Sequence, residues 1–102
     1  MTVNENGSNA LHIAVKKEYV ETVTSLIDLK FPVDIPKKNG VTALGIAAFS
    51  GNLIILRALH KAGARLDVTS GKGGLTPLIL SIKSHKFDCL RYIVDNSQGD
   101  FL

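Results

Sequence analysis

Tryptophan is missing from these 102 residues, cysteine and methionine occur once each, and proline only three times. One cysteine closes no internal disulfide, so packing must hold the fold, and Cys89 fits a reducing compartment, cytoplasm or nucleus. Aromatic side chains are scarce, four phenylalanines and two tyrosines, and the net charge is only +3. With no basic stripe and few rings to stack on bases, nucleic acid is an unfavoured partner. Long apolar runs are absent too. Residues 41–56 carry no charge, but the stretch is shorter than the ~20 residues a membrane span needs and Gly51-Asn52 interrupts it. The first six residues are polar and do not read as a secretory signal.

Reactive constellations are equally sparse. Cys89 falls within an apolar stripe and reads as packing rather than as a nucleophile. His12, His60 and His85 lack metal-ligand spacing, and the carboxylates are scattered singly, so neither a metal site nor an acid–base pair stands out. Gly71-Lys72-Gly73-Gly74 is glycine-rich but lacks the spacing of a phosphate loop, and reads as a turn. Neither a catalytic residue nor a cofactor is expected.

What the chain does contain is one phrase written three times. Gly7-Ser8-Asn9-Ala10-Leu11-His12-Ile13-Ala14, Gly40-Val41-Thr42-Ala43-Leu44-Gly45-Ile46-Ala47 and Gly74-Leu75-Thr76-Pro77-Leu78-Ile79-Leu80-Ser81 align glycine on glycine, at intervals of 33 and then 34 residues. A period in the low thirties marks stacked units that complete each other's interiors. Thr42 and Thr76 suit the N-cap and Pro77 the first turn of a helix, so each phrase opens one. Gly51-Asn52 permits a reversal into a second helix near Leu53. The apolar sets Val20, Val23, Leu26, Ile27, then Leu53, Leu56, Leu59, then Phe87, Leu90, Ile93, Val94 recur at three-to-four residue spacing and are expected in the core. The extra residue of the second interval is placed in the 69–73 loop.

These phrases resemble the ankyrin repeat. The middle unit matches best, through Gly40, Thr42, Leu44, Ala47, Ala48, Gly51, Asn52, Leu56, Leu59, Gly63, Ala64 and Asp67-Val68. The first unit places Glu18 and Lys30, and the third His85 and Ser97, where the family has loop glycines; Ile79 replaces the family's histidine. The resemblance implies an all-α solenoid of helix-turn-helix units joined by projecting hairpin loops, with repeats at about 4–36, 37–69 and 70–102. It also implies a non-catalytic module that binds a partner protein. Neither end is strongly polar, and Ile79, Leu80, Ile82 and Leu90 leave apolar surface unpaired, which points to adjacent repeats or domains in a longer protein. An alternative is a regulatory or targeting module of a larger enzyme or channel.

In the family, partners sit on a concave surface lined by the first helices and the loop tips. Carried over, this gives Lys16 and Lys17, then Phe49 and Ser50, then Lys83 and Ser84 from the helices. The tips give Glu5, Asn6 and Ser8, then Lys37, Lys38, Asn39 and Val41, then Lys72, Gly73 and Leu75. Six lysines and one glutamate among these positions contrast with 12 basic and 9 acidic side chains overall. A positive rim around Phe49, Val41 and Leu75 is therefore expected to receive an acidic or phosphorylated protein segment.

Overall fold

The computed structural model describes residues 3–5, 7–67 and 76–97. Six helices in three antiparallel pairs account for the regular structure there: α1 (Ala10–Lys16) and α2 (Val20–Asp28), α3 (Ala43–Ser50) and α4 (Leu53–Lys61), α5 (Pro77–Lys83) and α6 (Phe87–Asn96). No strand occurs among the described residues. The first helices form one layer, with α3 packed on both α1 and α5; the second helices form another, with α4 between α2 and α6.

Each first helix starts where its phrase says. Asn9, Thr42 and Thr76 have extended backbone, and their side-chain oxygens accept from the amides of His12, Gly45 and Ile79. Asn52 caps α4 in the same way through the Ile55 amide. Helix ends repeat as well. Tyr19 N–H donates to Ala14 O, Phe31 to Leu26 O, Asn52 to Ala47 O, Ala64 to Leu59 O and Lys86 to Ser81 O, at 2.9–3.2 Å. These bonds reach back five residues and close the helix ends around a left-handed residue. Glu18, Lys30 and His85 take that conformation with φ of 60°, 65° and 58°, although none is glycine. Ser97 does not: α6 runs one residue further than its counterparts and Ser97 keeps φ −98°.

The core joins Leu11, Ala14, Val15, Val23, Leu44, Ala47, Ala48, Leu56, Leu59, Cys89 and Ile93. Three expectations change. Phe87 is 70% exposed and Val94 40%, so the stripe on α6 contributes Ile93 and part of Leu90 rather than all four residues. Helical spacing identifies a face, and no helix among the described residues packs over this one. Leu80, expected at the surface, is buried because it turns back toward α3 and meets Gly45. Ile55, absent from the expected set, is fully buried because α4 is packed from two sides. The placement of the extra residue in 69–73 lies outside the described residues.

Side chains also tie successive units together. Asn52 Nδ2 donates to Glu18 Oε1 at 3.2 Å, and the Arg65 amide donates to Asp34 Oδ1 at 3.1 Å. Tyr92 hydroxyl and His60 Nδ1 are 2.8 Å apart, with their rings edge-to-face. The Lys86 chain lies against Gly51, whose φ of 80° and lack of a side chain leave the space it fills.

Candidate functional site

The hollow side of the first-helix layer is assembled from the loops 4–8 and 37–41 and the outer turns of α1 and α3. Both loops are closed by the same pair of bonds: Gly7 N–H to Asn4 O and Asn4 N–H to Ser8 O, then Gly40 N–H to Lys37 O and Lys37 N–H to Val41 O. Asn39 Oδ1 accepts from the Val41 amide at 3.0 Å and firms the second tip. Between this tip and α3 runs a groove of about 470 Å³ lined by Lys16, Lys37, Asn39, Val41, Gly45, Ile46, Phe49, Ser50 and Leu80.

The position of Gly45 shapes the floor. A Cβ there would stand 3.1 Å from Val41 Cγ1 and 3.2 Å from Leu80 Cδ1, so any side chain at this position would crowd the two residues that line the floor. With glycine present, Val41, Ile46 and Leu80 make an apolar bed beside Phe49, which is 52% exposed. A second hollow of about 530 Å³ adjoins it, sharing Lys16, Lys37 and Ile46 and adding Asn4, Ser8, His12, Ile13 and Lys17. Lys16, Lys17 and Lys37 therefore line two adjoining, partly apolar hollows.

His12 secures the wall of the second hollow. Its Nδ1 accepts from the Asn9 amide at 2.9 Å, which leaves Nε2 to carry the proton and donate to Ile35 O at 2.7 Å. Burial pushes the ring below the ordinary imidazole value, against the bond to Ile35 O and together with the repulsion of Lys37. The neutral ring thus holds the 35–37 segment beside α1. Cys89 is buried and its thiol is pushed up by that burial and by Asp88, which keeps it protonated and inert at neutral pH.

Of the residues expected at the site, Lys16, Asn39, Val41, Phe49 and Ser50 meet in the first groove and Lys17 in the second. Lys38 and Lys83 are exposed but line neither. Ser84 is half-buried, and its hydroxyl donates to Leu80 O at 2.9 Å, so it serves the end of α5. Lys72 and Leu75 lie outside the described residues. The floor residues Gly45, Ile46 and Leu80 were not expected at the site; the signal for them was the apolar residue that returns once per unit, as Ile13, Ile46 and Leu80.

A further hollow of about 560 Å³ borders α4 and α6, with Asp67 and Thr76 at its rim; these flank residues 68–75, and no site is assigned to it. Among the described residues no three His, Cys, Asp or Glu side chains gather as metal ligands, and no helix is long and apolar enough to cross a membrane.

The family model described as ankyrin repeats, in three copies, matches residues 1–70. The chain belongs to the ankyrin-repeat family. NF-kappa-B inhibitor cactus of Drosophila yakuba is 31% identical over 80 residues, which is 76% of this chain and 16% of that protein. Palmitoyltransferase AKR1 of Lachancea kluyveri is 30% identical over 99 residues, 93% of this chain and 13% of the relative. The B-cell lymphoma 3 protein homolog of Mus musculus is 26% identical over 98 residues, 92% of this chain and 22% of its own length. The chain thus spans less than a quarter of each of these ankyrin-repeat relatives. Ankyrin repeats are generally protein–protein interaction modules.

Proposed function

We propose that this ankyrin domain is a non-catalytic module that holds an acidic or phosphorylated segment of a partner protein in its concave groove, an apolar side chain of the guest lying against Phe49. The observation that carries this reading is the joining of Val41, Ile46, Phe49 and Leu80 with Lys16 and Lys37 in one groove. An exposed ring in an apolar bed supplies an anchor, and the surrounding ammonium groups select the charge of what flanks it. The free, buried Cys89 supports action in a reducing compartment, cytoplasm or nucleus.

A random peptide library selected against the immobilised chain tests it. Recovered peptides should pair a large apolar residue with aspartate or glutamate, and their affinity should fall with added salt. Phe49→Ala and the pair Lys16→Glu, Lys37→Glu should each weaken them about tenfold or more, a loss of about 1.4 kcal/mol. Peptides with no acidic bias, bound equally well by these variants, would reject the reading. Similarity to a palmitoyltransferase, of which the chain spans 13%, favours a second reading, that the module regulates or targets a larger enzyme. Its test is whether a catalytic activity co-purifies with the endogenous polypeptide.

A further inference from the structure

Because the units repeat every 33 to 34 residues, each position has a counterpart in the next unit and burial can be compared between them. A position buried in the first two units and exposed only in the third is one that each unit turns toward its successor. Val15 and Ala48 are fully buried, and their counterpart Ile82 is 53% exposed. Val23 and Leu56 are fully buried, while Leu90 is half-buried. His60 is met by Tyr92 of the next pair, whereas its counterpart Val94 is open to solvent. Ile79 and Phe87 extend the same surface at 37% and 70% exposure. Together they make an apolar stripe across α5 and α6, one helical turn between successive members.

The other end is finished differently. Positions exposed only in the first unit face a predecessor, and there Thr22 stands where Ile55 and Cys89 are fully buried. Ala10 stands exposed where Ala43 and Pro77 are buried, and Ser25 where Ala58 and Tyr92 are half-buried. Thr22 and Ser25 thus set hydroxyls where the following layers have apolar side chains, while Ile13, 41% exposed where Ile46 is half-buried and Leu80 buried, leaves one apolar side chain open at this end. Among the described residues the α5–α6 end has the more exposed apolar side chains, Ile79, Ile82, Phe87 and Val94.

We propose that the outer side of α5 and α6 is a docking surface for a fourth ankyrin-type helical pair, carried by the same polypeptide beyond α6. The occupant follows from continuity: at the counterparts of Ile82, Leu90 and Val94 the structure already shows what covers them, namely α5 on α3 and α6 on α4. Val15, the counterpart of Ile82 in the first unit, is also β-branched and is fully buried, so a first helix packed as α3 packs on α1 accommodates such a side chain. Head-to-tail stacking of a second copy would set Thr22 against the stripe, a poorer match.

Two measurements decide it. An immunoblot of the source cells should detect a polypeptide heavier than the 11.0 kDa of these residues by at least one unit; a band at 11.0 kDa overturns the proposal. The 102-residue chain is then compared with one in which residues 37–69 are duplicated after residue 97. Ile82→Lys should leave the melting temperature of the shorter chain unchanged or higher, and lower that of the longer chain by about 5 °C or more. The same effect in both backgrounds overturns the docking. Reversible dimerisation of the shorter chain that Ile82→Lys abolishes, read by light scattering, would assign the stripe to a second copy and also overturn it.

Discussion

In the middle unit α3 buries Ala43, Leu44, Gly45, Ala47 and Ala48, and α4 buries Ile55, Leu56 and Leu59. The third unit opens its first helix with the same threonine cap and reverses through the same left-handed bend, although α6 lacks the side-chain cap that Asn52 gives α4. Yet α5 buries only Pro77, Leu80 and Ser81, and α6 only Cys89 and Ile93. The difference is one of neighbours rather than of residue type. A phenylalanine on α6 is left in water at 70% exposure, whereas an alanine on α3 is sealed completely because a helix lies over it. In such an array each hydrophobic side chain draws its stabilisation from the adjoining layer, so the middle of the stack should hold most of the free energy and the ends least.

The sharpest way to break this comparison is to truncate one side chain in each unit. Leu56→Ala should lose about 2–5 kcal/mol in urea denaturation, the range for a leucine removed from a closed core, while Phe87→Ala should stay within about 0.5 kcal/mol. Similar losses at both would mean that the third unit is as well covered as the second. An exchange of residues comes next. Ala48→Ile, which installs the residue of the third unit in the second, should cost about 1–3 kcal/mol by overpacking α5, and Ile82→Ala should cost little.

Smaller effects belong to the turns. His85→Gly relieves a left-handed non-glycine residue and should add up to about 1 kcal/mol, raising the melting temperature by a few degrees. Glu18→Gly should add less, because it also removes the acceptor of the Asn52 bond. A fall in melting temperature for His85→Gly would show that the turn needs its side chain.

The least effect at neutral pH, and the most specific to one unit, concerns His12, whose counterparts Gly45 and Ile79 do not titrate. Its folded-state value is depressed below 6.5, so the unfolded chain binds the proton more readily. The contribution of the neutral ring is present above about pH 6.5 and is lost as pH falls through the folded value. Replacing it by His12→Gln should flatten that part of the stability profile; a profile unchanged between the two proteins would assign the acid sensitivity elsewhere.

Local structure was legible in the sequence to the extent that local rules fix it. Thr42 and Thr76 cap because a hydroxyl reaches the third amide of a helix whatever surrounds it, and Pro77 occupies the first turn for an equally local reason. Glu18, Lys30 and His85 could be placed in left-handed turns by register against Gly51 and Gly63. Burial was less legible. Three-to-four residue spacing grouped Phe87 and Val94 with Ile93, since it reports a shared face and carries no information on whether another helix reaches it. It missed Ile55 because a helix packed from two sides exceeds a single stripe. At the groove, the exposed Phe49 and the lysines were readable from register, while its floor depended on Gly45 being small enough to admit Leu80, a relation between two units that neither shows alone.

The turns that separate the paired helices repeat one backbone path while carrying glutamate, glycine or histidine at its bend. A conformation imposed by its surroundings frees the residue inside it from having to specify that conformation. Mutational drift can therefore place acid, base or nothing along this edge, at a small loss of stability, without rewriting the layers behind it. Recognition of such arrays by their bend glycines alone would pass over units like the first and third, whose architecture is intact.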